Sequence, residues 1–222
     1  IFSHLPPPRQ NGIDFLYTDW YTIIMENLHM ENRERLLEAA LSLFYEKGYD
    51  AVGVQEIVEA AGVTKPTLYY YFGSKRGLLE AVLQKNFRVM EEQLIQATVH
   101  DGKIPQVLNR VAVTVFRSAC GNPKFSLLML ALFYSGRKSD GYQTVYPFVE
   151  RYYRLFVNIF EQASDELGNM NGRQRQFAMG FIGILHYYLM LIPQDEEQLA
   201  GMEVPEQQIQ ELVRQFMYGI YS

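Results

Sequence analysis

Cysteine is almost missing from this chain. Cys120 is the only one in 222 residues, which excludes an intramolecular disulfide and any cysteine-built metal site. A lone cysteine in an apolar helical stretch reads as a small core side chain. The four histidines, His4, His29, His100 and His186, lack metal-ligand spacing, so no metal site is assigned. A glycine-rich phosphate loop, a nucleophile elbow and paired carboxylates are also missing, so no catalytic residue and no cofactor is assigned. Apolar runs are short. The longest without a charge, residues 177–192, contains two glycines and a histidine and falls below the length of a membrane span. The first residues offer neither a basic region nor an apolar core of a secretory signal, so a cytoplasmic protein without membrane attachment is expected. Positive charge is scarce: 20 Lys and Arg face 25 Asp and Glu, for a net charge of −5, which argues against a general nucleic-acid binder.

The composition that remains, 48% apolar and 20% charged, describes a folded protein with a sizeable core. Its organising stretch is residues 54–76, VQEIVEAAGVTKPTLYYYFGSKR. Val54, Ile57, Val58 and Ala61 repeat at helical spacing, and Gly62 follows where a left-handed turn residue belongs. Thr64 is placed to cap a second helix that has Pro66 in its first turn and Leu68, Tyr71 and Phe72 on its inner face. Two short helices joined by a glycine turn make a helix-turn-helix.

Three consecutive tyrosines cannot share one helix face, because each residue turns by about 100°. With Tyr71 inward, Tyr69 and Tyr70 point outward beside Lys65, and residues 60–79 contain no Asp or Glu. Ser74, Lys75 and Arg76 then open the next helix, where cations oppose the macrodipole by about 0.3–1 kcal/mol each. A phosphate docked at that N-terminus reverses the sign. Double-stranded DNA is therefore the expected partner, with Lys65, Pro66, Thr67, Tyr69, Tyr70, Ser74 and Lys75 as contacts. Base reading falls to Lys65, Thr67 and Tyr69, a thymine methyl to Pro66, and phosphates to Tyr70 and Lys75.

From Gly48-Tyr49-Asp50-Ala51 through Ala60-Ala61-Gly62-Val63-Thr64-Lys65, Thr67-Leu68-Tyr69-Tyr70-Tyr71-Phe72 and Ser74-Lys75 to Leu78-Leu79, the chain resembles the DNA-binding domain of the tetracycline-repressor (TetR) family. The likeness covers residues 31–82. Val52, Gly53 and Gln55 stand where that family often has Thr, Ser and Arg, which removes possible phosphate contacts.

The expected fold is all-α: a three-helix DNA-binding domain joined by a long helix to a helical effector-binding and dimerisation domain. Residues 1–29 are read as an extension with Pro6-Pro7-Pro8 and strand-like composition at 15–21, residues 30–77 as the DNA-binding domain, and 78–222 as the second domain. The first domain holds six Lys and Arg against seven Asp and Glu, so moderate, salt-dependent affinity is expected. Helices are predicted at about 32–47, 74–98, 105–119, 125–133, 147–167, 173–192 and 205–220, with a turn at His100-Asp101 and a polar loop at 136–141.

Helix 173–192 is apolar all round, so one side faces its own core and the other a partner subunit. A homodimer through the last two helices is expected, the symmetry that palindromic operators require. The family resemblance implies the same interface. It also implies a small-molecule pocket among the central helices, whose occupation swings the fourth helix and spoils operator spacing. Phe116, Phe125, Met129, Phe133, Tyr152, Phe156, Phe177, Phe181 and His186 are the candidate lining, suited to an apolar or aromatic effector. Glu150 is placed on the polar side of its helix. The expected function is a ligand-responsive regulator, a repressor. Its alternatives are a dimeric small-molecule carrier that binds no operator and an all-α enzyme.

Overall fold

The computed structural model describes residues 14–99, 102–168, 170–191, 200 and 202–219, with side chains from Leu28 onward. Ten helices and no strand make up these described residues. They are α1 (Asp14–Lys47), α2 (Val54–Ala61), α3 (Lys65–Phe72), α4 (Lys75–Ala97), α5 (Ile104–Gly121), α6 (Pro123–Phe133), α7 (Asp140–Gln162), α8 (Ser164–Leu167), α9 (Gln174–Leu191) and α10 (Glu206–Tyr218).

The head is built by α1, α2, α3 and the start of α4. Leu36, Leu37, Ala40 and Phe44 of α1 meet Ile57, Val58 and Ala61 of α2 and Leu68 of α3, all buried. Gly62 adopts φ +64°, and its N–H and that of Val63 close α2 by donating to Glu59 O and Val58 O. This left-handed residue costs glycine nothing and any other residue about 1–2 kcal/mol. Val52 is buried in the same core, which explains an apolar side chain at that position.

α4 runs unbroken for 23 residues from the head into the body. Leu79, Val82, Leu83, Phe87 and Leu94 are buried along it, and Phe87 meets Phe148 of α7 edge-on at 5.3 Å. Arg151 of α7 stacks over Phe87 and pairs with Glu91, tying α7 to α4 a second time. The head also touches the body through Lys124 Nζ to Ser42 Oγ at 3.2 Å and through Arg76 to Asp140 at 3.5 Å. In the body, the start of α5 is capped from a distance: the Ile104 N–H donates to both oxygens of Glu166 on α8.

Three sequence expectations need correction. α1 begins at Asp14, not near residue 32, so the β-prone stretch 15–21 is helical. Once α1 is nucleated downstream, each added residue needs only propagation, and weak local propensity does not stop it. α7 begins at Asp140, not Pro147, so the predicted polar loop ends earlier. Ser139 caps it by accepting from the Tyr142 N–H, and Gly141 lies against Leu132, where a Cβ would come within 2.9 Å. Pro147 lies on the exposed side, where the unpaired carbonyl it leaves can bind water. α7 then stops at Gln162, and α8 is a separate single turn. The expectations for Pro6 to Pro8, His100-Asp101 and Ile220 lie outside the described residues.

Candidate functional site

Two surfaces carry the chemistry: the outer face of α3 and a cavity in the body. On α3, Leu68 is fully buried while Tyr69 and Tyr70 are 48% and 74% exposed. Lys65 and Pro66 are exposed beside them, and Thr67 is half-buried. The Tyr70 ring meets Tyr71 and His29 edge-on at 5.2 and 5.9 Å, and the rest of it stays open to solvent. Together with Lys65 it makes an amphipathic, acid-free face suited to a duplex groove.

The hydroxyl of Thr64 does not cap α3; it lies 2.9 Å from that of Thr67, so each positions the other. Tyr71 is half-buried against the core and not sealed within it. Its hydroxyl meets His29 twice, at 2.9 Å to Nδ1 and 3.0 Å to the carbonyl oxygen. His29 thus braces α3 from α1, a role hidden in the sequence because the residue falls in the stretch read as an extension. A groove of about 460 Å³ lies between Leu28, His29 and Asn32 on one side and Pro66, Thr67 and Tyr70 on the other.

Ser74 caps α4 by accepting from the Gly77 N–H at 3.0 Å. Lys75 departs from expectation. Its ammonium donates to the carbonyls of Tyr49 and Val52, each at 2.8 Å, and lies 4.3 Å from the centre of the Tyr49 ring. The side chain expected on phosphate therefore pins the turn between α1 and α2. Arg76 is partnered with Asp140. Lys65 is the exposed cation of α3.

The body holds a cavity of about 480 Å³ between α4, α5, α6, α7 and α9. Of the nine expected lining residues, Met129, Phe133, Tyr152 and His186 border it. The other five serve the packed core. Phe116 lies edge-on to Tyr188 at 5.2 Å, Phe125 is buried at the base of α6, Phe156 packs on Tyr152 at 4.8 Å, and Phe177 and Phe181 close on Phe216. Met90 of α4 borders the cavity, so the long helix from the head forms part of its wall. Tyr134, Tyr146, Glu150 and Tyr187 also line it and were missed. Tyr146, Glu150 and Tyr153 recur at i, i+4 and i+7, a signal that a face-by-face reading of α7 from its true start would have found. Glu150, expected on the polar side, reaches the wall and is also held by Arg154 at 2.7 Å.

At the cavity's inner end, His186 Nε2 lies 3.3 Å from the Tyr152 hydroxyl, with the rings stacked 5.6 Å apart. Burial pushes the His186 imidazole down to about 4 and pushes the Tyr152 phenol up, so both are neutral near pH 7. The Cys120 thiol is likewise pushed up by burial and stays protonated. Among the described residues no cluster of three or more His, Cys, Asp or Glu could hold a metal ion, and no helix is long and apolar enough to cross a membrane.

Residues 36–82 match the family described as bacterial regulatory proteins, tetR family. The HTH-type transcriptional activator FasR of Mycolicibacterium smegmatis is 50% identical over 56 residues, 25% of this chain and 26% of that protein. The HTH-type transcriptional repressor KstR of the same organism is 33% identical over 103 residues, 46% of this chain and 50% of that protein. The chain thus spans from about a quarter to half the length of these curated relatives. Over nearly its whole fold it resembles the transcriptional regulator FadR from Bacillus subtilis, solved in complex with stearoyl-CoA. That match has a TM-score of 0.68 at 18% identity, covering 85% of this chain and 99% of that one.

Proposed function

We propose that this chain, whose residues 36–82 match the tetR family of bacterial regulatory proteins, is a ligand-responsive transcriptional repressor of that family. It binds a palindromic operator as a homodimer and releases it when an apolar or aromatic molecule fills the cavity. The observation that carries the DNA reading is the outer face of α3, where Lys65, Pro66, Tyr69 and Tyr70 are exposed with no carboxylate among them. Lys65, Thr67 and Tyr69 read base edges, and Pro66 meets a thymine methyl. Tyr70 takes a phosphate, as do the amides at the start of α4, behind the Ser74 cap. Lys75 supports this face from behind by holding the α1–α2 turn.

Release follows from Met90. An effector in the cavity presses on α4, which is continuous with the head, so a form with α4 displaced binds effector better and DNA worse. The wall contains Glu150 but no Lys or Arg. An anionic headgroup such as that of the acyl-CoA held by the Bacillus subtilis regulator would meet no counter-charge there. An apolar chain or ring fits, with the Tyr152–His186 pair available to one polar atom. Relatives of the head include both an activator and a repressor, so the α3 face alone does not set the sign of regulation. An operator-free carrier would need no acid-free α3 face, and that face favours the regulator.

Selection of bound sequences from a pool of random duplexes tests the proposal. A two-fold symmetric consensus with half-sites about one helical turn apart is the expected result. Retention of duplexes without sequence enrichment, or no retention at low salt, would overturn it.

A further inference from the structure

We propose that the turn between α6 and α7 is a further DNA contact, through which Arg137 and Lys138 of the body hold backbone phosphates beside the head. The inference rests on the operator reading above and extends the DNA surface beyond α3 and the start of α4.

The charges of the head create the need. The Lys75 ammonium is taken by the Tyr49 and Val52 carbonyls, Arg76 faces Asp140, and Lys47 is paired with Glu56. The cations around the α1–α2 turn and the start of α4 are thus engaged within the protein, and the whole chain carries a net charge of −5. A duplex presents one negative charge per about 1.7 Å of its axis, so affinity depends on cations that have no internal partner.

The turn supplies two. Gly136-Arg137-Lys138-Ser139 is a β-turn closed by the Ser139 N–H, which donates to Gly136 O at 2.7 Å. Arg137 and Lys138 occupy its two corners, and both are exposed. Among the described residues neither pairs with a carboxylate. The turn is braced at both ends. Ser135 Oγ donates to Leu132 O at 2.6 Å and lies 2.9 Å from Ser139 Oγ, which in turn caps α7 by accepting from the Tyr142 N–H. A backbone fixed in this way presents its cations with little further ordering on binding.

Placement points the turn at the same phosphates' neighbourhood. Asp140 follows the turn directly and meets Arg76, the second residue of α4, at 3.5 Å. Lys138 is two residues from Asp140, at most about 7 Å along the chain. A Cβ on Gly141 would lie 3.7 Å from Tyr49, the residue whose carbonyl and ring hold Lys75. The turn therefore stands alongside the start of α4, where the operator reading places a phosphate. An arginine fork and a lysine ammonium are the donors that phosphate oxygens accept from. The Arg76–Asp140 pair has a second use here: it neutralises the carboxylate next to the turn, which would otherwise repel phosphate.

The test is fluorescence anisotropy of the full chain across a salt series, on its selected operator and on a scrambled duplex of equal length. Wild type is compared with Arg137→Gln/Lys138→Gln and with the charge-keeping swap Arg137→Lys/Lys138→Arg. Each lost phosphate contact makes the slope of log affinity against log salt shallower by about 0.9, so the glutamine variant of a dimer should lose about two to four. Its affinity should fall about tenfold or more on both duplexes alike, because phosphates carry no sequence information. The swap should keep the wild-type slope, and both variants should melt as the wild type does. Single neutral methylphosphonates should weaken wild type at the phosphates the turn holds and leave the glutamine variant unchanged there. A glutamine variant with wild-type slope and affinity would overturn the turn contact and leave the α3 reading intact. A wild-type chain that binds neither duplex at low salt would overturn both.

Discussion

Lys75 shows how a residue's sequence context can mislead about its task. At a helix start beside Arg76 its charge reads as a phosphate anchor, yet two carbonyls and an aromatic ring already hold its ammonium. Hydrogen bonds from a charged donor contribute about 1.5–3 kcal/mol, and the cation–π contact adds roughly 0.5–1. Lys75→Met should thus lower unfolding stability by about 2–3 kcal/mol in urea titrations. A loss of DNA binding with unchanged stability would return the side chain to phosphate. His186 gives a pH signature. Its native pKa is depressed to about 4, below the unfolded value of about 6.5, so the unfolded state binds the proton first. Its contribution is intact above pH 6.5 and is lost as pH falls toward 4. Water in the open cavity relieves part of the penalty, leaving an expected loss of about 2 kcal/mol across that window. His186→Phe should flatten this limb of the stability profile; an unchanged limb would assign it to other groups.

Elements were legible where periodicity and punctuation agreed. The buried stripe of α2 and the Gly62 turn stand as the sequence indicated, as do the approximate spans of α4 and α5. The misses have physical causes. Pro147 resembles a helix start because proline suits a first turn, but an exposed mid-helix proline costs one solvated carbonyl and is tolerated. Gly141 resembles a loop residue, but close packing on Leu132 demands it. Phe116, Phe156 and Phe181 read as pocket walls because an aromatic repeat has no direction until neighbouring helices are placed. The corner between α3 and α4 gives a further test at this scale. A Cβ at Gly77 would lie 2.1 Å from the Phe72 carbonyl oxygen, a backbone atom that cannot move aside alone. Gly77→Ala should therefore open the corner, lowering the melting temperature by several degrees and weakening operator binding together. A neutral Gly77→Ala would show that the corner relaxes without cost.

At the scale of the whole molecule, charge and symmetry set the expectations. With a net charge of −5 and an outward Lys65 as the chief cation of α3, one head holds DNA weakly, and two heads on one duplex supply the affinity. The body is joined to the head by α4, by Lys124 to Ser42 and by Arg76 to Asp140, so displacement of α4 must break or carry the other two contacts. The exposed Arg76–Asp140 pair is worth little to stability, within about 1 kcal/mol, and its use lies in fixing the angle between α4 and α7.

The most direct test of the central claim is equilibrium binding of the full chain to its selected operator by fluorescence anisotropy, for wild type, Lys65→Ala and Tyr70→Phe. Salt is varied and folding is checked by circular dichroism. Lys65→Ala should weaken binding about tenfold or more and Tyr70→Phe several-fold, the cost of a lost base contact and a lost phosphate contact respectively. Both variants should melt as the wild type does. Folded variants that bind operator as tightly as wild type would contradict the account, because the exposed face of α3 would then not be the surface that meets DNA.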